Sequence, residues 1–239
     1  MTQTEVKAPS RTKILIVFIL TIIIGYALFI VPDIFFGVTK INGGKIGINL
    51  FIMALFQFLA ITLLLHTSLK ILKKDWKYIG LKFEDLKRDS LFGLLFGALW
   101  TSIQFALIIP NTGGGNRADV SGMLNMYDGT VLGTVSFIAL GVIGGGITEE
   151  LFNRGYFINI LKNIFKNPKI GLWVSAILSI IIFSFGHMPT NSLEWFDILV
   201  PTIIYTLLFI STKRLTASIV AHGFYNMSAI LLTYYIYYR

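Results

Sequence analysis

Residues 14–32 read ILIVFILTIIIGYALFIVP, with no Asp, Glu, Lys or Arg among them. Coiled as a helix, a stretch of this length reaches about 29 Å, enough to cross the hydrocarbon core of a bilayer. Runs of the same kind recur at 46–69, 90–116, 129–148, 170–193, 198–212 and 215–238. The 198–212 run is short, but Trp195 and Phe196 extend it, and Pro201 predicts a kink within it. A further segment, 149–165, is apolar in parts yet carries Glu149, Glu150, Arg154 and Lys162. It reads either as an eighth span or as a helix that enters the membrane partway. The expected fold is therefore all-α: a polytopic transmembrane helix bundle of seven to eight spans, forming a single membrane domain over 1–239.

Composition agrees. Of 239 residues, 55% are hydrophobic and only 13% charged, with a mean hydropathy of +0.75. Soluble domains are about one quarter charged, so a water-soluble single-core protein and a disordered chain are both excluded. The strands of a membrane barrel would alternate apolar and polar residues, and these runs do not. The absence of cysteine excludes a disulfide framework, an iron–sulfur cluster and a thiol nucleophile.

The net charge is +8, and its distribution orients the chain. With the N-terminus inside, Lys7, Arg11, Lys13, the basic residues of 66–90 and 154–169, and Lys213 with Arg214 place sixteen positive charges on the cytoplasmic side. Lys40, Lys45, Arg117 and Arg239 are the four left outside. Residues 70–89 mix seven basic side chains with Trp76, Tyr78, Ile79, Leu81 and Phe83, which predicts an amphipathic helix lying on the inner leaflet. Four acidic residues in the same stretch would repel phosphate backbones, so no nucleic-acid partner is expected. The glycine-rich 110–129 segment reads as a flexible outer connection.

Ionisable groups at membrane depth are expensive and usually mark function. Three clusters stand out: Thr148-Glu149-Glu150-Leu151-Phe152-Asn153-Arg154, Phe183-Ser184-Phe185-Gly186-His187, and His222-Gly223-Phe224-Tyr225-Asn226. Glu150 and Arg154 lie four apart and can pair on one helix face. Glu149 is rotated by about 100° from Glu150 and is left without a sequence-local partner, as suits a general base that later returns its proton. His222 and Asn226 share a face, and both can donate hydrogen bonds to a developing oxyanion. His187 could hold or polarise a water beside Glu149, or bind a metal. The rest reads as packing. His66 is expected to donate a hydrogen bond between helices, and Gly93 with Gly97 and Gly141 with Gly145 form small-xxx-small pairs. Gly144-Gly145-Gly146 lacks the lysine of a phosphate-binding loop and reads as packing or a helix break.

Glu-Glu-x-x-x-Arg, then Phe-x-x-x-His, then His-x-x-x-Asn, in that order across several spans, resembles the CAAX protease and bacteriocin-processing (CPBP) family of intramembrane endopeptidases. The similarity covers about 129–230. It implies hydrolysis of a peptide bond in a membrane-associated peptide or protein, with Glu149 and His187 activating water, His222 and Asn226 stabilising the oxyanion, and Glu150 and Arg154 supporting the site. It also implies eight spans. Eukaryotic members trim prenylated proteins, and many bacterial ones are linked to peptide processing or bacteriocin immunity. Asn153 stands where the family more often has an aromatic or apolar residue.

No cofactor is expected. A zinc site built from Glu149, His187 and His222 is the alternative, but the His-Glu-x-x-His helix of common zinc proteases is absent. Two other functions compete: a non-catalytic membrane immunity or regulatory protein that keeps the protease fold, and a proton-coupled transporter using Glu149 and the histidines as a relay. The transporter is disfavoured because no internal repeat is evident. The compact chain and short loops suggest a bacterial plasma membrane, with peptide substrate and lipid bilayer as partners. The oligomeric state is left open.

Overall fold

The structure is a computed structural model, and it describes residues 9–239; Lys7 lies outside them. The described residues are helical with turn-rich connections and no strand. In chain order the helices are α1 (Arg11–Thr39), α2 (Ile48–Ile71), α3 (Leu86–Asn111), the short α4 (Ala118–Leu124), α5 (Val131–Ile164), α6 (Pro168–Gly186), α7 (Ser192–Thr212) and α8 (Thr216–Thr233), which a π-turn continues to Tyr238. Short side chains cap several starts: Ser10 Oγ accepts from Lys13 N, Thr130 Oγ1 from Gly133 N, and Asn167 and Asn191 Oδ1 from the first amides of α6 and α7. Pro201 is buried inside α7 without ending it.

Six of these helices are long and apolar enough to cross a bilayer. They make this an integral membrane protein. The last expected span, 215–238, is helical almost throughout, but His222, Asn226 and its tyrosines make it less apolar than the six. The 149–165 segment does not form a helix of its own. It continues 131–148 as one helix of 34 residues. Its charges interrupt the apolar run, yet Glu150 pairs with Arg154 inside the bundle and the helix runs through them.

Much of α5 is a π-helix, over Leu140–Glu149 and Leu151–Ile158. Such widened turns recur at functional sites. The glycines explain how this one fits. A methyl group on Gly146 would lie 2.7 Å from Gly223 Cα, so α5 and α8 touch backbone to backbone there. Gly93 and Gly97 do the same for α3 against α8, with Ala217 O and Ala221 O at 2.6 and 2.8 Å from the added methyl positions. The expected glycine pairs thus lie where α3 and α5 pack closely on α8, and Gly144 to Gly146 fall inside the widened helix without breaking it.

The second half of α5 fills the main apolar core. Phe152, Tyr156, Phe157 and Ile158 are sealed among Phe18 of α1 and Leu65 and Leu69 of α2.

Two loops differ from expectation. Residues 72–85 are turns, not an interfacial amphipathic helix. Lys73, Gly80 and Asp85 all have positive φ, which a helix cannot continue through. Leu72 and Ile79 fold back into the core, and Leu215 N donates to Gly80 O at 3.0 Å. Leu72 and Ile79 therefore face protein rather than lipid, while Phe83 is left exposed. His66 does not bridge helices; it is exposed and stacks on Trp76.

Nor is the 110–129 connection a loose one. Arg117 is buried, pairs with Asp119 at 2.6 Å and reaches Asp197 on α7. Burial opposes the guanidinium charge, but hydrogen bonds to Asp119 and Asp197 outweigh it and raise the Arg117 pKa. Tyr127 closes the far end by donating its hydroxyl to Ile230 O.

Candidate active site

The close approach of α5 and α8 delivers an acidic and an imidazole group to one point at mid-depth in the bundle. His222 Nδ1 lies 2.9 Å from Glu150 Oε1, and its Nε2 lies 3.9 Å from Glu149 Oε2. Arg154 Nη1 lies 2.9 Å from the same Glu150 oxygen. The Glu150 and Arg154 side chains are fully buried, whereas Glu149 keeps 25% of its side chain exposed. That difference separates the two carboxylates by role: one is sealed in an ion pair and the other is reachable. Facing a carboxylate, Nδ1 carries the hydrogen and donates it, which fixes the imidazole orientation and leaves Nε2 toward Glu149.

Aromatic rings build the rest of the wall. Tyr205 of α7 stacks on His222 with ring centres 4.8 Å apart. The Arg154 guanidinium lies 4.4 Å above the Phe183 ring of α6, a cation–π contact that adds to its ion pair. Phe183 also meets His222 edge-on at 6.3 Å and His187 at 4.5 Å.

Asn226, one turn beyond His222, donates from Nδ2 to Gly141 O at 2.9 Å. Its second N–H remains available on the side of Gly145. A methyl group at Gly145 would lie 2.5 Å from Asn226 Nδ2 and 3.7 Å from His222 Nε2. The missing side chain at 145 thus leaves room in front of both donors.

Glu149, Glu150, Arg154, His222 and Asn226 are accordingly gathered where α5 meets α8. His187 is adjacent rather than joined to them. It caps the end of α6, exposed, with Nδ1 3.0 Å from Phe183 O, and among the described residues it forms no ion pair with Glu149 and no hydrogen bond with His222. It lies at the end of the bundle opposite the lysine-rich loops. Glu149 itself sits near the middle of α5.

Three participants were not evident from the motifs. Tyr26, in the first span, donates its hydroxyl to Asn153 Oδ1 at 2.9 Å, and Asn153 Nδ2 donates to Glu149 O at 3.0 Å. Tyr205 is the third. Asn153, which departs from the family pattern, is therefore the link between α1 and the backbone of Glu149. A polar residue inside an apolar run is the signal that marks Tyr26, and it is weak on its own.

Among the described residues no three His, Asp or Glu side chains converge as metal ligands. His222 Nδ1 is committed to Glu150, and His187 stands beyond the Phe183 ring.

Residues 131–228 match the family described as type II CAAX prenyl endopeptidase Rce1-like, the group that the three motifs resemble. The match holds every site residue named above except Tyr26. The UPF0177 protein YbdI of Lactococcus lactis subsp. lactis (strain IL1403) is 31% identical over 109 residues, which are 45% of this chain and 54% of that protein. The chain thus spans about half the length of this curated relative. No solved structure matches.

Proposed function

We propose that this CAAX protease-like membrane protein is an intramembrane endopeptidase in which Glu149 activates water for attack on a peptide bond. The observation that carries the reading is His222 standing between two carboxylates of unequal exposure, at 2.9 and 3.9 Å.

In this mechanism Glu149 takes a proton from water as its oxygen attacks the scissile carbonyl carbon. The negative oxygen that forms is met by His222 Nε2 and by the free N–H of Asn226. Donation from Nε2 requires the imidazole to carry both protons. Glu149 and Glu150 then balance Arg154 and His222, and the buried set has no net charge, which matters where desolvation of an unpaired charge is costly. Glu149 next passes its proton to the departing nitrogen, the C–N bond breaks, and a carboxylate and an amine leave. Each oxyanion donor is worth roughly 10²–10³ in rate, and a positioned general base about 10²–10⁴. Glu150 and Arg154 hold the imidazole rather than touch substrate. His187 flanks the entrance, where it orients the incoming water or backbone. No step requires a metal.

The substrate is a membrane-associated peptide that reaches the site from the end carrying the 187–191 connection, unwound enough to present its backbone. The N-terminus is placed in the cytoplasm by the lysine and arginine distribution. The test is cleavage of a membrane-peptide library by the native protein and by Glu149→Gln in nanodiscs. Native cleavage that Glu149→Gln abolishes supports the reading, and equal cleavage by both removes Glu149 from the mechanism.

A further inference from the structure

At the other end of the bundle from His187, a cleft of about 220 Å³ opens between the 72–85 loop and the ends of α5 and α7. Lys77, Lys82, Lys162 and Lys213 line it, together with Tyr78 and Asn159. The charged groups that face the half-buried Lys162 are Lys213, Lys74 and Lys82, all of its own sign. Its ammonium donates to Asn159 Oδ1 at 2.5 Å and lies 5.9 Å from the centre of the Tyr78 ring, over which Lys74 also sits at 4.1 Å.

Like charges do not gather without compensation, and the protein supplies little. Among the described residues no carboxylate lies within 4 Å of any of the four lining lysines. Nearby acids face other partners: Asp85 and Asp89 pair with Arg88 and Arg214, Glu84 lies in the field of Arg214, and Asp75 accepts from the backbone N–H of Tyr78. Lys162 and Lys213 stand at the C-terminal ends of α5 and α7, where each helix dipole offers about half a negative charge. Four lysines against two helix ends leave about three positive charges unbalanced.

We propose that this cleft binds a phosphate group carried by the headgroup of an anionic membrane lipid. Three bare ammonium groups around a small pocket match the charge and the acceptor oxygens of a phosphate. The lipid is favoured as the source because the cleft is apolar beneath its rim, where Leu172 and Phe209 line it. Phe83, next to the lining Lys82 in the chain, is 71% exposed, as an aromatic that inserts among acyl chains would be.

The test reads melting temperature in zwitterionic detergent micelles with added phosphatidylglycerol, phosphatidylcholine or inorganic phosphate. It needs no hydrolysis, so its outcome is independent of the peptidase reading. Phosphatidylglycerol should raise the melting temperature of the native protein and phosphatidylcholine should not. The double variant Lys77→Ser/Lys82→Ser, changed only in the loop, should lose at least half of that shift, and Lys213→Ser provides the same comparison if the double variant does not fold. Equal shifts from both lipids, or an undiminished phosphatidylglycerol shift in the variants, would overturn the site. A shift with inorganic phosphate that matches phosphatidylglycerol and is lost in the variants would overturn the lipid as its source.

Discussion

Replacing Arg154 with alanine should destabilise the bundle by about 3–5 kcal/mol, the range for stranding one partner of a buried ion pair. The geometry places this pair at the severe end. Both side chains are fully buried, with Nη1 2.9 Å from Glu150 Oε1. Without the guanidinium, the Glu150 carboxylate keeps the imidazole of His222 and the Ser218 hydroxyl, and no full opposing charge of its own, in a water-poor interior. The Arg154 contact with Phe183 at 4.4 Å is lost as well, which for a desolvated cation–π pair contributes about 2 kcal/mol. If stranded charge is the cause, removing it should restore stability. Arg154→Met combined with Glu150→Gln keeps most of the volume and no net charge, and should recover more than half of the loss. Unfolding by SDS in mixed micelles, followed by tryptophan fluorescence, measures both. A loss below about 1 kcal/mol for Arg154→Ala, the value of an exposed pair, would refute the reasoning, as would a double variant no more stable than the single one.

Glu149→Gln should behave in the opposite way, reducing hydrolysis by about 10²–10⁴ while leaving the melting temperature nearly unchanged, because its side chain is 25% exposed and its nearest cationic partner is 3.9 Å away. Adjacent glycines should separate catalysis from packing. At 145 an alanine methyl meets the end of the Asn226 side chain, so the fold should survive while turnover falls by roughly 10²-fold. At 146 the methyl meets the backbone of Gly223 at 2.7 Å, and stability should fall by about 1–3 kcal/mol. Kinetic and melting measurements on the two variants check the contrast. In the same assay a chelator series should leave activity intact, and added zinc should not increase it; loss on chelation with recovery on zinc would assign Glu149 and the histidines to a metal.

The spans were legible because a bilayer imposes a length, and charge-free runs report it directly. Arg154 with Glu150 was legible for a similar reason, since four residues along a helix return to the same face even where the helix is widened. His222 joining Glu150 was not, because that contact depends on how closely α5 and α8 approach, and the glycines that permit it do not name their partners. Composition also misled in one place. The 72–85 loop has the residues of an amphipathic helix, but positive φ at Lys73, Gly80 and Asp85 turns it so that Leu72 and Ile79 serve the protein core. His187 shows the limit of a motif: its place at the end of an apolar run was readable from the sequence, whereas its contact with a Phe183 ring that also meets His222 was not.

The most direct measurement is the origin of the new carboxylate oxygen when the native protein and Glu149→Gln cleave a membrane-bound peptide in ¹⁸O-water. The account predicts one heavy oxygen in the C-terminal carboxylate of the upstream product from the native protein, and no such product from the variant. Labelled product formed at the same rate by Glu149→Gln would contradict it.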